Sequence, residues 1–338
     1  MAHRSRTTRR DGPMFAPRPR FGSQTPPAIF PPVLGALGLG LAWRRAADPF
    51  GMPSAAGDLI LGAITMLFIF IIVAYGLKLW RRPKVVAEDL RVLPGRAGLS
   101  AAVLSVYLLS AALVPLIPAL AEILLWAGLL LQAGLVGLLL WLFATGPAEQ
   151  RRVTPVWHLH FVGFILACLS AVPLGHTGLA TVLLYATTGV ALAIWAASLV
   201  QMLRQRLPAP LRPLLAIHLA PACLIGSVAA SLGLMPLALA AAAVAVALLA
   251  ALLVSARWLL AAGVSPLWGA LSFPMAAFAS LMLALAAALE GQAPGEAFRI
   301  AGGIALVAAT LAIPPILVFV MQLWAKGRLA AQTNAACA

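Results

Sequence analysis

Charged side chains are scarce in this chain. Only 9% of its 338 residues are Asp, Glu, Lys or Arg, and nine of those are acidic. None lies near the middle of a long apolar stretch. A proton-coupled pump usually needs a titrating carboxylate or histidine at membrane depth. This scarcity therefore argues against that design and against most active-site chemistry.

Metal-ligating and nucleophilic side chains are also few. Of three cysteines, Cys168 and Cys223 lie inside apolar stretches and Cys337 lies near the end, so neither a disulfide nor a metal cluster is predicted. His158 and His160 are two positions apart and point to different helix faces. The chain lacks the phosphate-loop, zinc-protease and serine-hydrolase motifs. We expect no enzyme activity and no cofactor.

Long apolar stretches dominate what is present. Hydrophobic residues make up 63% of the chain, and the mean hydropathy is +1.01. A membrane helix needs about 20 apolar residues, and the loops between the stretches are short. The sequence predicts an all-α polytopic membrane protein with ten transmembrane helices. The predicted spans are 30–47, 57–79, 98–116, 119–144, 155–174, 177–203, 212–231, 234–258, 265–289 and 298–325.

Basic residues alternate between the gaps. Twenty of the 23 lysines and arginines fall on one side of the predicted membrane, and only Arg44, Arg45 and Arg299 fall on the other. By the positive-inside rule both termini are predicted to be cytoplasmic. The net charge of +14 then reflects topology and attraction to anionic lipid rather than nucleic-acid binding.

The chain divides into three predicted parts. Residues 1–28 are rich in Arg and Pro and are expected to form a flexible cytoplasmic arm. Residues 29–326 form the ten-helix domain, and residues 327–338 a short cytoplasmic tail. The bias toward Ala, Leu, Gly and Arg suggests a bacterial source, hence the inner membrane.

Odd and even predicted helices differ in kind. Helices 2, 4, 6 and 8 have no internal proline, whereas the odd helices carry proline and small polar residues; helix 10 is an exception. Pro155, Pro213 and Pro266 each open an odd helix, at spacings of 58 and 53. We predict five helical hairpins around a central pore, with the kinked odd helices lining it. The plain alternative is that proline and serine are simply scattered.

Several residues are candidates for this lining or for proton coupling. The candidates for the lining and its kinks are Gly38, Ser105, Ser170, Pro173, Pro221, Ser227, Gly269, Ser272 and Pro274. Two titratable residues lie closest to membrane depth, Glu122 in helix 4 and His218 in helix 7. Glu122 is equally consistent with an interfacial helix start, and His218 with a hydrogen bond between helices.

Helix 9 carries the most informative segment, with Phe273 directly before Pro274 near mid-membrane and with Gly269 and Ser272 beside it. Proline kinks a helix, and a bulky ring at a kink can close a narrow passage as a hydrophobic gate. Ordinary packing of the ring is the alternative.

Segments in several helices resemble one family in the same order. Helix 1 has a small-residue run from Gly35 through Gly38 to Trp43, helix 2 ends in Tyr75-Gly76-Leu77-Lys78, and helix 7 contains an Ala-Pro segment at Pro221. Together with helix 9, these resemble the slow-type anion channel and tellurite-resistance/dicarboxylate transporter family over about residues 30–326. The resemblance implies five hairpins around a pore, a homotrimer, and a helix-9 phenylalanine closing the pore, which is Phe273 here.

The predicted function is therefore an anion channel or channel-like transporter, in which small anions pass through an uncharged pore gated by Phe273. The nearest alternative is a secondary carrier or exporter of C4-dicarboxylates, sulfite or tellurite-type oxyanions, proton-linked through His218 or Glu122. A membrane enzyme or assembly factor is a third. The sequence does not identify the anion.

Overall fold

A computed structural model describes residues 20–337 as an assembly of helices, with no strand in that part of the chain. We number the ten main segments α1 to α10. Their bounds are Phe30–Phe50, Ala55–Arg81, Leu93–Leu113, Pro118–Thr145, His158–Ala171, Thr177–Arg204, Ala209–Ser231, Met235–Val254, Pro266–Ala288 and Ala293–Ala325. Each falls at a predicted span.

The all-α polytopic membrane fold is confirmed. Eight of the segments are long and apolar enough to cross a membrane. The other two are α1, whose last two turns contain Arg44, Arg45 and Asp48, and α5, which has only 14 residues. The count of ten crossings thus remains a prediction.

The odd helices form an inner ring. Each of α1, α3, α5, α7 and α9 contacts its two odd neighbours, and α9 closes the ring on α1. Each even helix packs on the odd helix before it, which gives five hairpins. In α3, α7 and α9, 67–89% of the membrane-length window is buried, against 22–33% in the even helices. The even helices therefore form an outer ring with largely uncovered apolar faces.

Several odd helices begin irregularly. α5 starts with a π-helical turn at His158–Val162 and continues as a 3₁₀ helix at Gly163–Ala167. α7 starts as a 3₁₀ helix at Ala209–His218, which becomes α-helical at Leu219. By contrast, α9 is α-helical without interruption from Gly269 to Ala288 and includes Pro274. The helix therefore continues through this proline, although Pro274 has no N–H to offer the carbonyl of Ala270.

A buried polar cluster joins residues near both ends of the described part of the chain to α2. Lys78 Nζ lies 2.9 Å from Asp89 Oδ2 and donates to the Thr25 carbonyl, and both charged side chains are fully buried. The Ala336 N–H donates to Asp89 Oδ1 at 2.9 Å. The predicted arm, residues 1–28, lies mostly outside the described residues. Its described part packs on the domain, because Thr25 is almost fully buried. A short helix, Leu329–Gln332, lies in the predicted tail.

Candidate functional site

Close contact between α1 and α9 positions the central side chains. Gly35 faces Ser272 and the backbone of Phe273, and a Cβ on Gly35 would lie 2.9 Å from the Phe273 nitrogen. At Gly38 a Cβ would lie 3.2 Å from Cδ2 of the Phe273 ring. The ring is therefore packed against the glycine face of α1, and only 7% of the residue is exposed.

Phe273 lines three cavities within the inner ring. The narrow cavity, about 30 Å³, lies toward the N-terminal ends of the odd helices, beside Pro31, Pro94 and Pro266. The wide cavity, about 270 Å³, lies toward their C-terminal ends, beside Pro115 and Pro173. The side cavity, about 20 Å³, lies between α3, α5, α7 and α9. Phe273 lines all three, so its ring stands between spaces that open toward opposite ends.

Only odd helices and the residues next to them line these spaces. All five contribute to both the narrow and the wide cavity. The narrow cavity is lined almost entirely by aliphatic side chains, including Leu34, Leu159 and Ile217. The region on the narrow side of the ring thus carries no charged side chain among the described residues.

The wide cavity is not uncharged. Arg44 and Arg45 lie in its wall, which corrects the prediction of a pore without charge along its whole length. The predicted helix 1, residues 30–47, already included both arginines, but the positive-inside count only placed them on the outer side, and they were not among the predicted lining residues. In the structure both side chains extend from α1, which continues to Phe50, into the wall of the wide cavity. Sequence reasoning missed these two residues, and the signal was their position only one and two residues after Trp43.

The predicted lining residues fall into two groups. Six of them line the cavities: Gly269 and Pro274 the narrow cavity, Gly38, Pro173 and Ser227 the wide cavity, and Pro221 the side cavity. Three serines, Ser105, Ser170 and Ser272, are fully buried between helices and line none of the three.

Hydrogen bonds and packing explain why the three serines do not face the cavities. Ser105 Oγ donates to the Ala101 carbonyl at 2.7 Å, and Ser170 Oγ to the Ala167 carbonyl at 3.2 Å. Both hydroxyls are thereby satisfied within their own helices, as is common for serine in a helix. Ser272 contacts Gly35 of α1. These three predicted lining residues therefore pack between helices and do not face the three cavities.

The two titratable candidates occupy different places. His218 Nδ1 lies 2.9 Å from Nε2 of His158 on α5, and His158 lines the side cavity. Glu122 lies at the start of α4, where its carboxylate is 2.9 Å from His176 Nε2 and both side chains are partly exposed. No group of three or more His, Cys, Asp or Glu side chains in metal-binding geometry occurs among residues 20–337.

The model of one family, the voltage-dependent anion channels, matches residues 24–322, nearly the whole described chain. The chain belongs to the voltage-dependent anion channel family. No curated protein matches the sequence. Membership agrees with the resemblance found in the sequence, and it gives the general function as passage of anions across a membrane through a channel or transporter.

Family membership gives the inner ring a functional context. The chain combines a closed ring of odd helices, cavities toward both ends and a single aromatic ring between them. The side chains of this chain that face the cavities are then the ones to consider for anion passage.

Proposed function

We propose that the protein is an anion channel in which the ring of Phe273 closes the central passage. The observation that carries the proposal is the position of Phe273, which lines the narrow, wide and side cavities at once. A hydrophobic constriction of this kind blocks ions both sterically and by excluding water. An open state requires the ring to move away from Gly38.

The charge distribution supports anions as the permeating species. The wide cavity has Arg44 and Arg45 in its wall and no acidic residue among its lining residues. Asp58 balances Arg44, and the charge of Arg45 raises the local concentration of anions. The constriction itself carries no charge, so an anion that reaches it is not held by a strong counter-charge. Weak binding permits release, which conduction requires.

The proposed setting is the inner membrane, with the N- and C-terminal ends in the cytoplasm. The alternation of basic residues supports this orientation. The wide cavity then faces outward and the narrow cavity faces the cytoplasm. We further propose a homotrimer with one passage per subunit. The apolar faces of the even helices, of which 22–33% of the membrane-length window is buried, are available for lipid and for neighbouring subunits.

Shortening the side chain at position 273 tests the gate. Conductance in a planar bilayer should rise from wild type to Phe273→Leu and again to Phe273→Ala, because each change removes more of the ring that fills the passage. If the variants fold and their conductance does not depend on the size of the side chain at position 273, Phe273 is excluded as the gate.

A proton-linked anion carrier is the second candidate function. It is favoured by the buried pair of His158 and His218, which lies beside the side cavity at an N–N distance of 2.9 Å. A proton-linked carrier should move anions in response to a pH gradient, whereas flux through the proposed channel should not depend on the pH gradient. The same recordings under a pH gradient therefore separate the two functions.

A further inference from the structure

Two consecutive arginines in the wall of the wide cavity have different partners. Arg44 donates to Asp58 Oδ1 from Nε at 2.9 Å and from Nη2 at 2.6 Å, and to the Ala112 carbonyl from Nη1 at 2.7 Å. Its charge is balanced by Asp58, and its donors are largely used. Arg44 therefore serves mainly to fix α1 against the start of α2 and the end of α3.

Arg45 lacks such a partner in the described part of the chain. Its one hydrogen bond there runs from Nη1 to the Ser280 carbonyl at 3.3 Å. No carboxylate of residues 20–337 lies within 4.0 Å of its guanidinium. A guanidinium has five N–H donors, so most of the donors of Arg45 remain for another acceptor.

The acidic residues at this end of the molecule are engaged or placed elsewhere. Asp58 is bound to Arg44, and Glu122 to His176. Asp48, Glu290 and Glu296 line a separate cavity together with Arg299. The wide cavity therefore contains a half-buried cation and no acidic side chain to balance it. A buried charge without a counter-charge is costly, and a bound anion relieves that cost.

We propose that Arg45 forms an anion-binding site in the wide cavity, selective for planar oxyanions such as nitrate or a carboxylate. The guanidinium presents parallel N–H groups that match two oxygens in one plane, which a spherical halide does not offer. A second polar side chain, Ser227, lies in the same wall on α7. The cavity volume of about 270 Å³ is ample for an ion of this size.

This site deepens the proposed channel function, because it would hold an anion on the wide side of Phe273 before passage. Its test is a binding measurement, so it does not depend on conduction. The full chain, purified in detergent, is unfolded by heat while chloride is replaced by nitrate at constant ionic strength. The expected result is a saturable rise of the unfolding midpoint with nitrate.

The variant Arg45→Gln should weaken the apparent affinity for nitrate at least about tenfold, because it removes both the charge and the paired donors. The matched control is Arg299→Gln, which removes a cation at the same end of the molecule but outside the wide cavity. That variant should bind nitrate as the wild type does. Nitrate binding that is equal in Arg45→Gln and wild type would overturn the proposal.

If Arg45→Gln does not fold, Arg45→Lys decides the matter. This variant keeps the charge and loses the planar pair of donors, so its preference for nitrate over chloride should fall about tenfold. An unchanged preference would overturn the proposal. The outcome is distinguishable from failure of the gate, because Phe273 variants are read by conductance and Arg45 variants by binding.

Discussion

At the scale of single residues, two side chains are central to the proposed function, Phe273 and Arg45. Phe273 fills the space between the cavities, and Arg45 places an unbalanced cation on one side of it. Neither depends on a network of charged residues at mid-membrane. This arrangement suits passage of an anion past a movable ring more than tight binding at a fixed charge.

A second residue-scale feature is the buried pair of Lys78 and Asp89. The change Lys78→Met would leave Asp89 buried without a cation and should lower the free energy of unfolding by about 3–5 kcal/mol. The double variant Lys78→Met with Asp89→Leu should recover much of that loss, because no unpaired charge remains. Thermal unfolding in detergent measures both.

The control for that pair is Arg299→Met, which breaks the solvent-exposed pair with Glu296. Exposed ion pairs contribute little, so its midpoint should stay close to that of the wild type. A Lys78→Met protein as stable as the wild type would show that the buried pair does not hold the chain ends on α2.

At the scale of helices, the approach of α1 to α9 determines where Phe273 stands. The change Gly35→Ala would push its Cβ into Ser272 and the Phe273 backbone. Because backbone must move to make room, the free energy of unfolding should fall by about 1–3 kcal/mol.

Gly62→Ala is the matched control, since a Cβ there meets nothing within 4 Å. Alanine is the better helix former by about 1 kcal/mol, so this variant should be at least as stable as the wild type. If Gly35→Ala unfolds at the same midpoint as Gly62→Ala, the close α1–α9 contact is not a determinant of stability.

The sequence predicted where the helices lie better than it predicted which face of each helix points toward the centre of the molecule. Apolar runs of about 20 residues and the prolines between them placed every segment, since length and composition are what a membrane span requires. The segments are apolar nearly all round, so their periodicity does not show which side faces the centre. For that reason the sequence placed Ser105 and Ser272 in the lining, while the structure places them between helices.

The positions of Arg44 and Arg45 in the wide cavity were also hard to predict. The predicted helix 1, residues 30–47, contained Arg44 and Arg45, and the positive-inside count placed them on the outer side without relating them to the lining. The ion pair of Arg44 with Asp58, and the packing that places both arginines in the wall of the wide cavity, join residues of different helices. Such pairing depends on tertiary structure. The pairing of His158 with His218, 60 residues apart, could not be read from local sequence for the same reason.

At the scale of the whole molecule, the five hairpins place the odd helices in an inner ring and the even helices in an outer ring. The proposed orientation of this assembly in the membrane can be tested with a native cysteine thiol. Cys337 is exposed, whereas Cys168 and Cys223 are buried. A maleimide that cannot cross membranes should therefore label Cys337 in inside-out vesicles and leave intact cells unlabelled. Labelling of intact cells, lost in Cys337→Ser, would place the C-terminal end outside.

The central claim is that the Phe273 ring closes the passage, and anion efflux from liposomes tests it most directly. The Phe273→Ala protein should release anions at least about tenfold faster than the wild type, which corresponds to a barrier lower by about 1.4 kcal/mol. Phe278→Ala is the matched control, because Phe278 is as buried on the same helix but lines none of the three cavities. Efflux from Phe273→Ala no faster than from wild type and Phe278→Ala, with all three folded, would contradict the account.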